Sequence, residues 1–205
     1  MSFEIVRLGD VAEVNPRRSG FGLEDNDRVT FVPMDAVHDR LGAIISAVER
    51  PFGEVKKGYT AFVEDDVIFA KVSPCMQNGK HAIARGLANG VGFGSTEFHV
   101  VRAGPRILPE WIHYFLRQQA TLDSAQKTFN GAVGLQRVPP NFLENIELPL
   151  PDLDTQRRIV ADLKLQLTTV EEARLAAEAQ LREIELLPQR LLAQVFDSEE
   201  EAAHA

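Results

Sequence analysis

The sequence predicts an α+β protein: a mixed, β-rich globular domain with a few packing helices over residues 1–150, then a long C-terminal helix within 151–196. Three observations predict it. Up to about residue 106, short runs rich in β-branched and aromatic residues alternate with Gly, Pro, Asn and Asp. From 155 to 187 neither Gly nor Pro interrupts the chain, and those 33 residues make about 50 Å of helix. Along that stretch an apolar side chain recurs at alternating steps of three and four, the heptad signature of a helix seeking a partner helix.

The elements follow in order. "LGDVAEV" (8–14) reads as a short amphipathic helix or turn, closed by Asn15 and Pro16 because the residue before proline avoids the α region. Strands are expected in "VTFVPMDAV" (29–37), "GYTAFVEDDVIFAKV" (58–72), "KHAIARGL" (80–87) and "EFHVVRA" (97–103). A helix starts at Pro109 with Glu110 in its first turn, and Trp111, Ile112, Phe115 and Leu116 share one face. "PPNFLENI" (139–146) is one more short helix, and "ELPLPDLD" (147–154) a proline-punctuated connector. The seam of the long helix runs through Val160, Leu163, Leu167, Val170, Ala177, Leu181, Ile184 and Leu191, broken by Arg174 and Pro188. Pro188 is expected to kink or end the helix, since it lacks the backbone donor. "QRLLAQVF" (189–196) would then restart as a second short helix, and 197–205 is expected to be a disordered acidic tail.

Composition narrows the function. The 205 residues are 44% apolar, enough for a core, with a net charge of −8. That balance at first opposes nucleic acid, but residues 67–137 hold eight Lys/Arg against three acidic residues, a basic middle suited to one anionic-ligand face. No run reaches the roughly 20 apolar residues of a membrane helix. With no secretory pattern at the start and Cys75 the only cysteine, a cytoplasmic protein without membrane contact is expected.

Catalytic and cofactor motifs fail on context. Gly90, Gly92 and Gly94 run as Gly-x-Gly-x-Gly into a strand, whereas a dinucleotide fingerprint opens a helix. "NGKH" (78–81) has His81 where a phosphate loop needs Ser or Thr. "EDDVIFAK" (64–71) has the residue types of a nuclease but not the spacing, and the five histidines are scattered without a metal-ligand pair. No cofactor or metal is therefore expected on this chain.

What remains is a set of polar loops. They hold Arg17, Arg18 and Ser19; Lys71, Ser73, Gln77, Asn78 and Lys80; Ser95 and Thr96; and Asn130, Gln136 and Arg137. Arg, Lys, Asn and Gln can pair with base edges, and hydroxyls and backbone amides suit phosphates. Any one of these loops taken alone is also what an ordinary surface turn contains.

Taken together they match a pattern. "RLGDVAEVNP" (7–16), "FVPMDAV" (31–37), "DDVIFAKVSPCMQNGKHAIA" (65–84), "GFGSTEFHVVR" (92–102), "LPEWIHYFLR" (108–117), "FNGAVGLQRV" (129–138) and "LPLPDLDTQRRIVADL" (148–163) occur in this order. The chain resembles the specificity subunit of type I restriction–modification enzymes, in a half-size form with a single target-recognition domain and one spacer helix. Two departures stand out: Asp65 and Asp66 where the family usually has Gly-Asp, and Thr155 before Gln156 where it usually has Glu, which weakens the expected contact at the helix start.

The resemblance implies a non-catalytic chain that binds double-stranded DNA through the twelve loop residues named above, Ser19 apart. It also implies a spacer helix that pairs antiparallel with that of a second copy or another specificity half, and docks modification (methyltransferase) subunits. Restriction subunits would join them, with S-adenosylmethionine and ATP/Mg on those partners. The resemblance makes 90–97 a glycine-relaxed turn that sets Ser95 and Thr96 near DNA, with Glu97 holding a recognition loop. Two other classes stay open on sequence: a small nuclease or methyltransferase, and a stand-alone DNA-recognition adaptor for another defence effector or methyltransferase.

Overall fold

In the computed structural model, which describes residues 3–17, 20–132 and 136–196, the chain forms two compact units, Met1–Arg157 and Arg158–Ala205. The first opens with strands β1 (Glu4–Arg7), β2 (Ala12–Val14) and β3 (Arg28–Val32). A hairpin of β4 (Val37–His38) and β5 (Ala43–Ile44) leads to β6 (Val48–Pro51) and the single turn of helix α1 (Phe52–Val55). Strands β7 (Thr60–Val63), β8 (Val67–Ala70), β9 (His81–Ile83), β10 (Val91–Gly94) and β11 (Phe98–Ala103) follow. Helices α2 (Pro109–Leu116), α3 (Gln119–Gln126) and α4 (Pro140–Asn145) precede strand β12 (Glu147–Leu150), and helix α5 (Leu153–Phe196) completes the described chain.

Two four-stranded sheets, ordered β6-β3-β10-β7 and β2-β11-β8-β9, carry the core. All four residues of β8 are buried, as its continuous apolar run requires. Its Phe69, with Ile112 and Leu116 of α2, belongs to the largest apolar cluster. A smaller cluster beside β10 holds Phe31, Val55 and Phe93, over which Phe21 packs edge-on to Phe93 at 5.9 Å between ring centres.

Several expectations change. Residues 8–14 are a 3-10 turn at Leu8–Asp10 followed by a strand, because Ala12–Val14 pairs antiparallel with β11. The stretch beginning at Gly90 is not a turn up to Ser95: Val91–Gly94 is an inner strand, parallel to β3 and antiparallel to β7. Gly92 is needed there because a Cβ would stand 2.1 Å from the Phe62 ring. Residues 147–150 are not a connector but pair with β1, Glu4 opposite Leu150. The proline in that strand is tolerated because a two-stranded ribbon leaves one side of each strand unpaired. Helix α3 carries too weak an apolar stripe to be read from sequence, with only Thr121, Leu122 and Ala125 buried.

The long helix spans 44 residues, about 66 Å, and runs through Pro188 without ending. Proline's fixed φ suits a helix, and Ile184, whose carbonyl loses its donor, is 61% exposed, so water can serve it instead. No restart at 189 is required, and the tail 197–205 lies outside the described residues. Asp152 caps the helix, accepting the Thr155 N–H (2.8 Å) and hydroxyl (3.0 Å), so the expected weakness at this start is made good by a neighbouring carboxylate. Gln156 is fully buried: its Oε1 accepts the Leu108 N–H (2.9 Å) and its Nε2 donates to the carbonyls of Pro151 (2.8 Å) and Arg106 (3.0 Å).

Two buried histidines make this fold acid-sensitive. His81 stacks on Phe69 with ring centres 4.0 Å apart and accepts the Ala70 N–H at Nδ1 (3.2 Å). Burial, followed by the charge of Arg117, brings the pKa of both His81 and His113 down to about 3. Both are neutral in the fold and take up protons near 6.5 once unfolded, so stability is lost as pH falls from about 6.5 towards about 3. Within that window each contributes a slope of about 1.4 kcal/mol per pH unit. The urea midpoint should drop between about pH 7 and about pH 5, and His81→Leu should flatten the drop. An equal slope in that variant would refute the assignment.

Candidate nucleic-acid interface

The antiparallel register of β2-β11-β8-β9 decides where the polar loops go. Val14 faces Val101, Phe98 faces Ala70, and Phe69 faces His81. The segments after β2, before β11, after β8 and before β9 therefore emerge at the same end of the sheet. They contain Arg17, then Ser95 to Glu97, then Lys71 and Ser73, then Lys80. Residues 129–138, from the far side of α3, join them through bridges from Arg137 to Val72 and to Asn130.

Main-chain hydrogen bonds weld these segments together. The Lys71 N–H donates to the Glu97 carbonyl, the Val138 N–H to the Lys71 carbonyl, and the Ser73 N–H to the Gln136 carbonyl, each at 2.9 Å. His99, 4% exposed near the start of β11, holds two loops at once. Its Nε2 donates to the Val138 carbonyl (2.8 Å), and its Nδ1 accepts from the Asn15 amide (3.0 Å). The shorter approach of the Asn15 amide nitrogen to Nδ1 (3.0 Å, against 3.3 Å for its oxygen) favours a neutral ring protonated at Nε2. Burial accordingly lowers the His99 pKa. Asn15 sits at φ +52 and also accepts the Val100 N–H (3.1 Å), which orients the chain towards Arg17.

Glu97 and Arg137 form a two-pronged pair, Nε to Oε2 and Nη2 to Oε1, both 2.8 Å. The Arg137 guanidinium is the main reason the Glu97 carboxyl lies below its ordinary range, and Lys71 nearby acts in the same direction. The Glu97 N–H in turn donates to the Ser95 hydroxyl (3.2 Å). So Glu97 fastens the 129–138 segment to the sheet end.

The candidate residues take different postures. Arg17, Thr96, Asn78 and Asn130 are exposed; Lys71, Ser73, Gln77, Ser95, Gln136 and Arg137 are half-buried. The Gln77 Oε1 is buried, so its amide turns inward. Lys80 is engaged internally, its Nζ donating to the carbonyls of Val37 (2.9 Å) and Met34 (3.2 Å). Arg18 and Ser19 lie outside the described residues. Sequence reasoning missed His99 and Asn15 because their partners lie 39 and 84 residues away; an Asn before Pro at a strand's end was the only local signal.

The acidic run at 64–66 is committed to structure. Asp66 is 1% exposed and paired twice with Arg102 at 2.8 Å, while Glu64 accepts the Gly86 N–H (2.7 Å) and Asp65 pairs with Arg85 (3.0 Å). Among the described residues no group of three His, Cys, Asp or Glu is placed to hold a metal ion, and no helix is long and apolar enough to cross a membrane.

Comparison with known proteins bears on this arrangement. Residues 2–179 match the family model of the type I restriction modification DNA specificity domain. The chain is 31% identical over 198 residues to the type I restriction enzyme EcoEI specificity subunit of Escherichia coli, covering 96% of this chain and 33% of that one. It is 34% identical over 159 residues to the EcoAI specificity subunit of the same organism, covering 77% and 27%. A solved chain from a study of complex assembly and conformational transition of the type I R-M system superimposes with TM-score 0.77 at 30% identity, over 95% of this chain and 50% of that one. The HsdS subunit from Thermoanaerobacter tengcongensis gives 0.69 at 28%, over 95% and 49%. The chain thus spans about a third of the length of the two Escherichia coli subunits and half that of the solved chains.

Proposed function

Because the chain belongs to the type I restriction–modification DNA specificity family, we propose that it reads duplex DNA with the loop-bearing end of the sheet β2-β11-β8-β9 and directs adenine methylation, and restriction, to a bipartite target. The observation that carries this reading is the convergence of four polar segments, far apart in sequence, on one sheet end where main-chain bonds fix their mutual placement. Exposed Arg17, Asn78 and Asn130 and half-buried Lys71 and Gln136 supply the donors that phosphates and base edges accept.

The chain itself performs no chemistry in this reading. Modification subunits bring S-adenosylmethionine, and restriction subunits bring ATP and Mg, in the cytoplasm. The apolar seam of α5 pairs antiparallel with the same helix of a second copy, giving a two-fold dimer and a target of two inverted-repeat halves separated by unread bases. In the single chain Leu167 is 50% exposed, Val170 64%, Leu181 55%, Ile184 61% and Leu191 59%, apolar surface that a partner helix would cover. Val160 is buried, Leu163 half-buried and Ala177 exposed. Arg174, where the seam is broken, pairs along its own helix with Glu171 (2.6 Å) and Glu178, which offsets its charge.

The deciding experiment is methylome sequencing of cells that express this chain with an adenine methyltransferase subunit. Modified adenines in an inverted-repeat motif are expected. A motif with unrelated halves would refute the homodimer, and no new motif would favour an adaptor for another effector. At the level of binding, Lys71→Ala should weaken affinity for every duplex alike and reduce the slope of log affinity against log salt by about 0.9, the loss of one phosphate contact. An unchanged slope would remove Lys71 from the interface.

A further inference from the structure

The far flank of the 71–80 loop is held by a side chain that no DNA-contact argument singles out. Arg117 follows directly on α2, and its guanidinium reaches three main-chain carbonyls. Nη1 donates to Gly79 (2.7 Å) and Asp39 (3.0 Å), and Nη2 donates to Arg40 (2.7 Å). One planar fork thus ties the turn of the β4–β5 hairpin to the end of the recognition loop, segments about forty residues apart. Gly42, at φ +61, leaves room for it: a Cβ there would lie 2.5 Å from Nη1 and 2.7 Å from Cζ. Gly79, at φ +76, takes a backbone conformation that side chains rarely adopt, and a Cβ there would lie 3.4 Å from the Asp39 carbonyl oxygen and 3.6 Å from Nη1.

All three acceptors are neutral carbonyls, so the site uses the shape of the guanidinium, several donors held in one plane, more than its charge. Lysine, with one rotating ammonium, cannot bridge three fixed acceptors in this way. Lys80 ties the same loop to the backbone just before the hairpin, at Met34, and to its first residue, Val37. On the opposite flank the loop is bonded to Gln136 through Ser73. Gln77 and Asn78 therefore sit between two anchors, one facing the 129–138 segment and one formed by Arg117.

We propose that Arg117 is a positioning residue for sequence reading: it touches no DNA, and it fixes the 77–79 turn against the hairpin so that the loop meets the duplex in one orientation. This rests on the DNA-reading function proposed above. It separates two classes of cation in this fold, those that contact phosphate and those that hold the reading loop.

The test uses the full chain, with wild-type protein first selecting duplexes from a randomised library. The recovered duplex and a scrambled one are then titrated against wild type, Arg117→Lys and Gly42→Ala at several salt concentrations. Both variants should lose about tenfold of the ratio between the two affinities, the worth of one base contact. Affinity for the scrambled duplex and the salt slope should stay at the wild-type values. A variant that folds and keeps wild-type discrimination overturns the proposal. So does a slope that falls by about 0.9 in a third, charge-removing variant, Arg117→Gln, which would place the guanidinium on a phosphate. Arg117→Lys and Gly42→Ala disturb the clamp from opposite sides, so misfolding of one leaves the other decisive. If wild-type protein enriches no duplex, the DNA-reading function itself fails, and that result is seen before any substitution is made.

Discussion

Gly94→Ala should destabilise the globular unit by about 3 kcal/mol, the upper end of the usual cost of overpacking, read as a fall in the urea midpoint. Gly94 lies in β10 opposite Val32, and a Cβ there would stand 2.5 Å from the Val32 carbonyl oxygen. That atom belongs to the sheet backbone and has no rotamer to escape into. The rings of Phe62 and Phe98, each 3.2 Å from the same point, block the other directions. Gly90→Ala provides the control. Gly90 has φ +68 with nothing within 4 Å, so alanine there meets only backbone strain, about 1 kcal/mol. Equal losses in the two variants would show that close packing of β10 is not why this stretch is rich in glycine.

Leu181→Ala combined with Ile184→Ala should convert the dimer proposed above into a monomer. In a two-fold pair each substitution counts twice, and four truncated side chains at about 2 kcal/mol each sum to on the order of 8 kcal/mol. That corresponds to on the order of 10^6-fold in the dissociation constant. Sedimentation should show half the wild-type mass at micromolar protein, while unfolding of the unit Met1–Arg157 keeps its wild-type midpoint. Identical masses for wild type and variant would leave the seam without a partner of its own kind, and a second, different specificity chain would become the expected mate.

Elements whose causes are local were legible in the amino-acid order alone. The β-branched runs around Val67 and Val100 became strands, Pro109 opened a helix, and the heptad seam became a single helix, Leu153–Phe196. The same order also determined which loops carry base-pairing and phosphate-binding residue types, because side-chain chemistry needs no fold to be read. Periodicity of two or 3.6 reports on a few neighbouring residues, and those neighbours were enough in these cases.

What each polar side chain does depends on contacts made across the folded chain. Lys71, Lys80, Arg117 and Arg137 are alike in composition, yet Lys80 and Arg117 donate to main-chain carbonyls and Arg137 forks onto Glu97. Glycines suited to a turn became an inner strand because Phe62 and Val32 close over them, and a proline-rich connector became a strand because β1 lies beside it. One cause underlies all of these: a hydrogen bond or a steric contact between residues far apart in sequence exists only once the chain has closed on itself, and no local pattern carries its direction.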